Sequence, residues 1–159
     1  MNDRFNKFIN IVLQNEGVLS DNKNDKGGLT KYGISKAAYP NLDIAHLTIE
    51  HAKEIYLTDY YLPMKIDRIE NELLALHVFD FGVNAGISRA IKYLQKTAVV
   101  GADGVIGEKT LTAVNSQDLA QKFIETRKQY YKTIATGRNT VFLKGWINRV
   151  DNTTKALIK

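Results

Sequence analysis

The sequence contains no cysteine. The fold therefore depends on no disulfide, and a thiolate metal site or a cysteine nucleophile is excluded. No stretch is long and apolar enough to act as a transmembrane span, and the amino terminus has no run typical of a signal peptide. We therefore expect synthesis in the cytoplasm without a signal peptide, no membrane insertion, and release by another route if the protein acts outside the cell.

The 159 residues are enough for a compact domain that buries a hydrophobic core. Apolar residues make up 44% of the chain and charged residues 25%, a balance that excludes extensive disorder. The formal net charge of +5 indicates an anionic partner such as nucleic acid, an anionic membrane or an acidic cell-wall polymer. The alternative is a set of solvated lysines without a binding role.

Apolar residues recur at helical spacing through most of the chain, and this pattern predicts a mainly α-helical fold. Residues 18–33 are polar and contain glycine, which predicts a loop with a short extended piece or hairpin around residues 29–34. The run 72–86 is apolar on nearly all sides, so its helix is expected at the centre of the fold. Residues with capping chemistry are predicted at the helix ends: Asn2 or Asp3, Gly17, Thr48, Gly86, Ser88 and Ser116.

Glu16 stands at the end of the first predicted helix, three residues after Leu13 and four after Val12. That spacing puts its carboxyl group on the apolar face, where partial desolvation is expected to raise its pKa. The partial negative charge of the helix C-terminus acts in the same direction. A carboxyl group with a raised pKa is what a general acid requires near neutral pH. The alternative is a solvated surface glutamate at a frayed helix end.

Asp25 follows Glu16 by nine residues, in a polar stretch that is expected to be hydrated. Two carboxyl groups in contrasting environments are the usual arrangement for cleaving a glycosidic bond, since one protonates the leaving oxygen and the other activates water or stabilises positive charge. The hydroxyl of Thr30 is a candidate to hold that water, and Gly27 and Gly28 let the backbone turn close to a ligand. The alternative for Asp25 is a turn residue without chemistry.

The stretch "NEGVLSDNKNDKGGLTKYGIS", residues 15–35, resembles the N-terminal signature of glycoside hydrolase family 108, the bacterial and phage N-acetylmuramidases. The similarity extends over nearly the whole chain through "AKEIYLTDYYLP", "DFGVNAG", "LQKTAVVGADGVIGEKTL" and "KGWINRV". It implies that Glu16 is the catalytic acid, and a further similarity to phage-type lysozymes extends the catalytic set to Asp25 and Thr30. The sequence departs from the pattern at Val18, where the family has a second glycine after Gly17.

The resemblance also implies a mainly α, lysozyme-like helical fold with a small loop or β-hairpin element near the active site. Residues 1–90 correspond to the catalytic region, and residues 91–159 to a helical peptidoglycan-binding-like lobe. Gly17, Gly27 and Gly28 are then expected to shape the backbone around the site. No cofactor is implied.

Side chains beyond the first motif are further candidates. Asp80 and Asn84 are four residues apart and share a face of the central helix, with His77 one turn earlier. We expect Asp80 to belong to a structural hydrogen-bond network and Asn84 to reach a sugar amide or hydroxyl. His77 and Asp80 lack a third partner nearby in the sequence, so no metal site is predicted.

Aromatic rings offer flat apolar faces on which pyranose rings can stack. The rings of Tyr32, Tyr60 and Trp146 are therefore predicted to bind substrate, with a role in the core as the alternative for each. Tyr32 is the strongest of these candidates because it lies between Thr30 and Gly33, beside the expected cleft.

These features predict a lysozyme-type peptidoglycan hydrolase that acts as a monomer on the bond between N-acetylmuramic acid and N-acetylglucosamine. The first alternative is a non-catalytic cell-wall-binding or secretion accessory protein on the same scaffold. The second is a basic nucleic-acid-binding protein, which would present a cationic stripe on one helix. The candidate stripe, with Lys122, Arg127, Lys128 and Lys132, is interrupted by Glu125 and aromatic residues, so no nucleic-acid partner is expected.

Overall fold

The computed structural model describes residues 2–17, the backbone of residues 19–21, and residues 28–158. Val18, Asp25 and Gly27, which the sequence singled out, lie outside the described residues. The chain forms two compact units, Met1–Asp59 and Tyr60–Lys159, and each is described by itself. The predicted division near residue 90 stays a prediction.

The first unit combines two helices with a small sheet. Helix α1 spans Asp3–Glu16 and α2 spans Ile49–Tyr56, and a short 3-10 helix covers Ile44–His46. Strands β1 (Leu19–Asp21), β2 (Leu29–Lys31) and β3 (Ile34–Ser35) pair antiparallel in sequence order. The chain continues from α2 through a π-helical turn over Leu57–Tyr61.

Local chemistry explains the ends of α1. The Asn2 side chain accepts a hydrogen bond of 2.7 Å from the Phe5 amide, which satisfies one of the unpaired donors of the first turn. At the other end Gly17 adopts a φ of 77°, and its amide donates to the Leu13 carbonyl. The apolar stripe between these caps is buried: Phe5, Phe8, Ile9, Ile11 and Val12.

The second unit is helical. Helices α3 (Glu72–Ala85), α4 (Ile87–Thr97), α5 (Glu108–Asn115), α6 (Ala120–Ile134) and α7 (Leu143–Ile158) follow one another, with 3-10 helices at Ile66–Arg68 and Gly137–Phe142. Helix α3 packs against α4, α6 and α7, and every residue from Leu74 to Gly82 is buried. Its continuous apolar sequence thus corresponds to its central place in this unit.

The prediction of a mainly α-helical fold with a small β-hairpin is confirmed. Two predicted helix starts are wrong. Ser88 lies within the first turn of α4, because Gly86, at a φ of 101°, both ends α3 and begins α4. Ser116 ends α5 rather than beginning α6, and its hydroxyl donates to the Ala113 carbonyl. In the described parts of the chain, no helix has the length and hydropathy that a membrane crossing requires.

Candidate functional site

Glu16 is the last residue of α1 and is half buried. Its side chain lies against the backbone of Gly33, because a β-carbon added to Gly33 would lie 2.9 Å from Glu16 Oε2. The same β-carbon would overlap the hydroxyl of Tyr56. Glu16 and Tyr56 therefore meet above a backbone position that has room only for glycine.

That position belongs to the turn between β2 and β3. Lys31 and Ile34 pair across the strands, so Tyr32 and Gly33 form a two-residue hairpin turn. Both have positive φ, 53° at Tyr32 and 78° at Gly33, as in a type I′ turn. Helix α2 supports the turn, because the Tyr56 hydroxyl donates a 2.7 Å hydrogen bond to the Tyr32 carbonyl.

The other described candidates of the first unit lie in or next to the strands that this turn joins. Thr30 lies in β2, half buried, with Ser20 and Ser35 as its partners on the neighbouring strands. The ring of Tyr32 is half buried, and the Lys31 ammonium lies 5.6 Å from its centre. Gly28 has a φ of 64°, and among the described residues no atom lies within 4 Å of a β-carbon added to it.

Chemically, this arrangement holds a carboxyl group at the border of the apolar core, next to a rigid turn. Glu16 is only partly exposed to solvent at the last turn of α1, which is a setting in which general acids are found. The Tyr56 hydroxyl already donates its proton to a backbone carbonyl, so its role here is to hold the turn. Sequence reasoning missed Tyr56 and Gly33, because nothing local indicates that they meet Glu16.

In the second unit, Asn84 and Trp146 line a groove of about 210 Å³, here called the Trp146 groove. The Trp146 ring stacks on Tyr131 at 5.6 Å between centres, and Phe142 lies 5.8 Å from its centre. The Tyr131 hydroxyl donates to Asn84 Oδ1, and the side-chain amide of Asn84 makes no other hydrogen bond within the described ranges. Two predicted sugar contacts therefore share one groove. Tyr60 is half buried and also belongs to this unit.

Asp80 lies in the core of the second unit and is fully buried. Arg127 donates to its Oδ2 at 2.6 Å, and Arg149 donates to its Oδ1 at 2.8 Å and to its Oδ2 at 3.1 Å. Burial alone would raise the pKa of Asp80, but the charges of the two arginines hold it well below its usual value. The carboxylate therefore stays ionised, which fits a structural group and excludes a general acid.

His77 extends the same network. Arg127 Nη1 lies 3.1 Å from His77 Nδ1, and because a guanidinium only donates, Nδ1 accepts. The other ring nitrogen, Nε2, therefore carries the proton and donates to the Thr154 hydroxyl at 2.8 Å. Burial and the charge of Arg127 lower the pKa of His77 to about 3, so the ring is neutral.

The candidate cationic stripe for nucleic-acid binding is not present as one exposed surface. Arg127 is fully buried, and Lys128 pairs with Asp151 at 2.8 Å. The cations of residues 122–132 thus do not form one exposed row. Within the described ranges, no three His, Cys, Asp or Glu side chains are grouped as a metal site would require.

Comparison with known proteins gives two family matches and a structural relative. Residues 9–86 match the family described as "Glycosyl hydrolase 108", and residues 89–151 match the one described as "Predicted Peptidoglycan domain". The solved structure of SagA from Brucella abortus is 32% identical, covers 97% of this chain and 94% of its own, and superposes with a TM-score of 0.82. No curated protein matches the sequence significantly.

The fold and the first match define the class, which is a glycosidase with a mainly α-helical, lysozyme-like fold. Within that class, the chain belongs to glycosyl hydrolase family 108. The second match supports peptidoglycan as the polymer on which this hydrolase acts.

Proposed function

We propose that the protein is an N-acetylmuramidase that hydrolyses the β-1,4 bond between N-acetylmuramic acid and N-acetylglucosamine in peptidoglycan. Glu16 is its general acid. The observation that carries the proposal is the position of Glu16, half buried at the end of α1 and in contact with the Gly33 turn. A carboxyl group that is partly buried and held against a turn has the position that a general acid requires.

In the proposed reaction, the Glu16 carboxyl transfers its proton to the glycosidic oxygen while the bond from that oxygen to the anomeric carbon breaks. The bonding electrons leave with the oxygen, and positive charge develops at the anomeric carbon. A water positioned by Asp25 and Thr30 adds to this carbon. The proton that the water loses passes to the carboxylates of the site and restores the protonated Glu16. One water is therefore consumed for each bond cleaved.

The hairpin turn is proposed to set the position of the acid. Glu16 and Tyr56 both lie against Gly33, and the Tyr56 hydrogen bond fixes the turn to α2. A rigid turn restricts the rotamers open to the carboxyl group, and such restriction is what a proton transfer at a fixed distance requires. Gly17 and Gly28 adopt positive φ values of 77° and 64°.

Four side chains are proposed to bind the glycan. Tyr32 and Tyr60 supply half-buried rings, and Trp146 supplies an indole held in place by its stacking on Tyr131. The Asn84 amide donates to a sugar acetamido or hydroxyl oxygen. We assign the catalytic region to residues 1–90 and the binding lobe to residues 91–159, acting as a monomer.

The proposal is tested by clearing of purified peptidoglycan. Glu16→Gln keeps the size of the side chain but cannot supply the proton, so we expect clearing to slow by about 10²- to 10⁴-fold. Glu54→Gln, the same change at an exposed glutamate of α2, serves as the matched control and should clear like the wild type. Analysis of the new reducing ends distinguishes a muramidase from a glucosaminidase.

Equal clearing by Glu16→Gln and the wild type would remove Glu16 from the catalytic set. Absence of clearing by both proteins, with binding to the wall retained, would favour the non-catalytic binding protein.

A further inference from the structure

The net positive charge of the chain comes from residues 60–159. Residues 60–159 contain fifteen lysines and arginines against nine aspartates and glutamates, whereas residues 1–59 contain seven against eight. Arg127, Arg149 and Asp80 form one network with a net charge of +1. Most of the excess must therefore come from other cations of the second unit.

Helix α4 carries a concentrated part of that excess. Arg89, Lys92 and Lys96 are exposed, and all three line a groove of about 420 Å³ that we call the α4 groove. No acidic residue occurs between Asp80 and Asp103 in the sequence. Within the part of the chain that the structure describes, none of the three cations forms an ion pair with a carboxylate.

Aromatic rings hold two of these cations in place. The Arg89 guanidinium lies 5.0 Å from the centre of the Tyr130 ring, and its Nη1 donates to the Ala85 carbonyl at 3.0 Å. The Lys96 ammonium lies 5.3 Å from the centre of the Tyr93 ring. Cation–π contacts reduce the freedom of long side chains, so the groove presents positive charge at partly fixed positions before a ligand arrives.

Arg89 and Ala85 line both the α4 groove and the Trp146 groove, so the two grooves form one continuous surface. A glycan strand with a sugar against Trp146 would direct its substituents along this surface. In peptidoglycan those substituents are stem peptides that carry free carboxylates.

We propose that the α4 groove binds the free carboxylates of peptidoglycan stem peptides through Arg89, Lys92 and Lys96. The proposal depends on the proposed function only for the identity of the polymer. It adds a contact to the peptide part of the substrate, whereas Glu16 is proposed to act on the glycan.

The test is co-sedimentation with purified peptidoglycan sacculi in a Glu16→Gln background, which keeps the polymer intact. The triple variant Arg89→Gln, Lys92→Gln, Lys96→Gln removes the three charges, and we expect its affinity to fall about tenfold in moderate salt. The matched control, Lys122→Gln, Lys132→Gln, Lys144→Gln, removes three exposed charges elsewhere in the same unit and should bind within about twofold of the parent. Charge-keeping changes, Lys92→Arg with Lys96→Arg, should retain binding.

Sacculi with chemically amidated carboxylates provide the second arm. The parent should bind them about as weakly as the triple variant binds untreated sacculi. Equal binding by the two triple variants, or a difference that persists on amidated sacculi, would overturn the proposal. So would a triple variant that loses affinity for duplex DNA but keeps its affinity for sacculi.

The two proposals can fail separately. If Glu16→Gln clears peptidoglycan normally, the catalytic role of Glu16 is lost; the charge variants are then compared in brief incubations on ice, before clearing begins, and their difference still decides the role of the α4 groove.

Discussion

Two carboxyl groups of this molecule are placed in opposite ways. Asp80 lies in the centre of the second unit, fully buried, with both oxygens bound by arginines. Glu16 lies at a helix end in the first unit, half buried, against a glycine turn and a phenol. The first arrangement fixes the ionised form, whereas the second leaves the residue partly exposed to solvent.

The difference teaches that burial alone does not indicate a catalytic acid. Desolvation favours the protonated form of a carboxyl group, but two guanidinium groups at hydrogen-bonding distance reverse that preference at Asp80. A general acid must carry a proton that it can lose, which the surroundings of Asp80 do not allow. The stability of the second unit and the proposed chemistry of the first therefore depend on different environments around the same functional group.

Removing the charge of Asp80 tests the structural half of this comparison, with the largest expected effect. Asp80→Asn leaves Arg127 buried without its counter-charge, so we expect the free energy of unfolding to fall by about 3–5 kcal/mol. Trp146 is the only tryptophan in the chain and lies in this unit, so urea unfolding followed by its fluorescence measures the change.

Asp118→Asn, at an exposed carboxylate of the same unit, is the control and should change the value by less than about 0.5 kcal/mol. Similar losses for both variants would show that the buried ion pairs contribute little.

Lowering the pH should destabilise the same network, by somewhat less than Asp80→Asn does. The fold holds His77 neutral, with a pKa of about 3, whereas the unfolded chain binds a proton near pH 6.5. This contribution is therefore complete above pH 6.5 and is lost as the pH falls toward 3. We expect a loss of about 3 kcal/mol between pH 6.5 and about pH 4, measured by urea unfolding at each pH.

His77→Gln should flatten that pH dependence, because its amide does not titrate. His51→Gln, at an exposed histidine of the first unit, should leave the slope unchanged. A wild type whose stability is constant between pH 6.5 and pH 4 would contradict the assignment of a neutral buried ring.

Gly33 tests the catalytic half of the comparison. Gly33→Ala places an alanine at a positive φ, which is unfavourable, and its β-carbon would overlap Tyr56 and Glu16. Gly28→Ala places an alanine at a positive φ without such an overlap, since no atom of the described residues lies within 4 Å of its added carbon. We expect Gly33→Ala to be about 2 kcal/mol less stable than Gly28→Ala in thermal unfolding of the first unit.

Clearing of peptidoglycan should also be slower for Gly33→Ala when equal amounts of folded protein are compared. Equal stability and equal activity of the two variants would show that the contact of Gly33 with Glu16 has no functional consequence.

The parts of this structure that the sequence predicts are those set by neighbours in the chain. Asn2, Gly17 and Thr48 cap their helices as expected, because a cap depends on residues within one turn. The same reasoning failed at Ser88, where a single glycine joins two helices and takes over the cap.

Contacts between distant residues could not be predicted in this way. Arg127 and Arg149 are 47 and 69 residues from Asp80, and Tyr56 is 24 residues from Tyr32. Helical spacing identified the buried faces but carries no information on which faces meet. The place of Glu16 at the end of a helix could be predicted from the sequence. Its contact with the Gly33 turn could be identified only from the three-dimensional structure.

One feature of the hairpin also bears on attempts to engineer this protein. Tyr32 occupies the first position of a type I′ turn, with a φ of 53°, where asparagine or glycine is usual. A search for heat resistance by consensus substitution would therefore select this residue early, since asparagine relieves the backbone strain. The aromatic ring proposed to meet the glycan would be lost in the same step, so thermal tolerance and turnover oppose each other at this position.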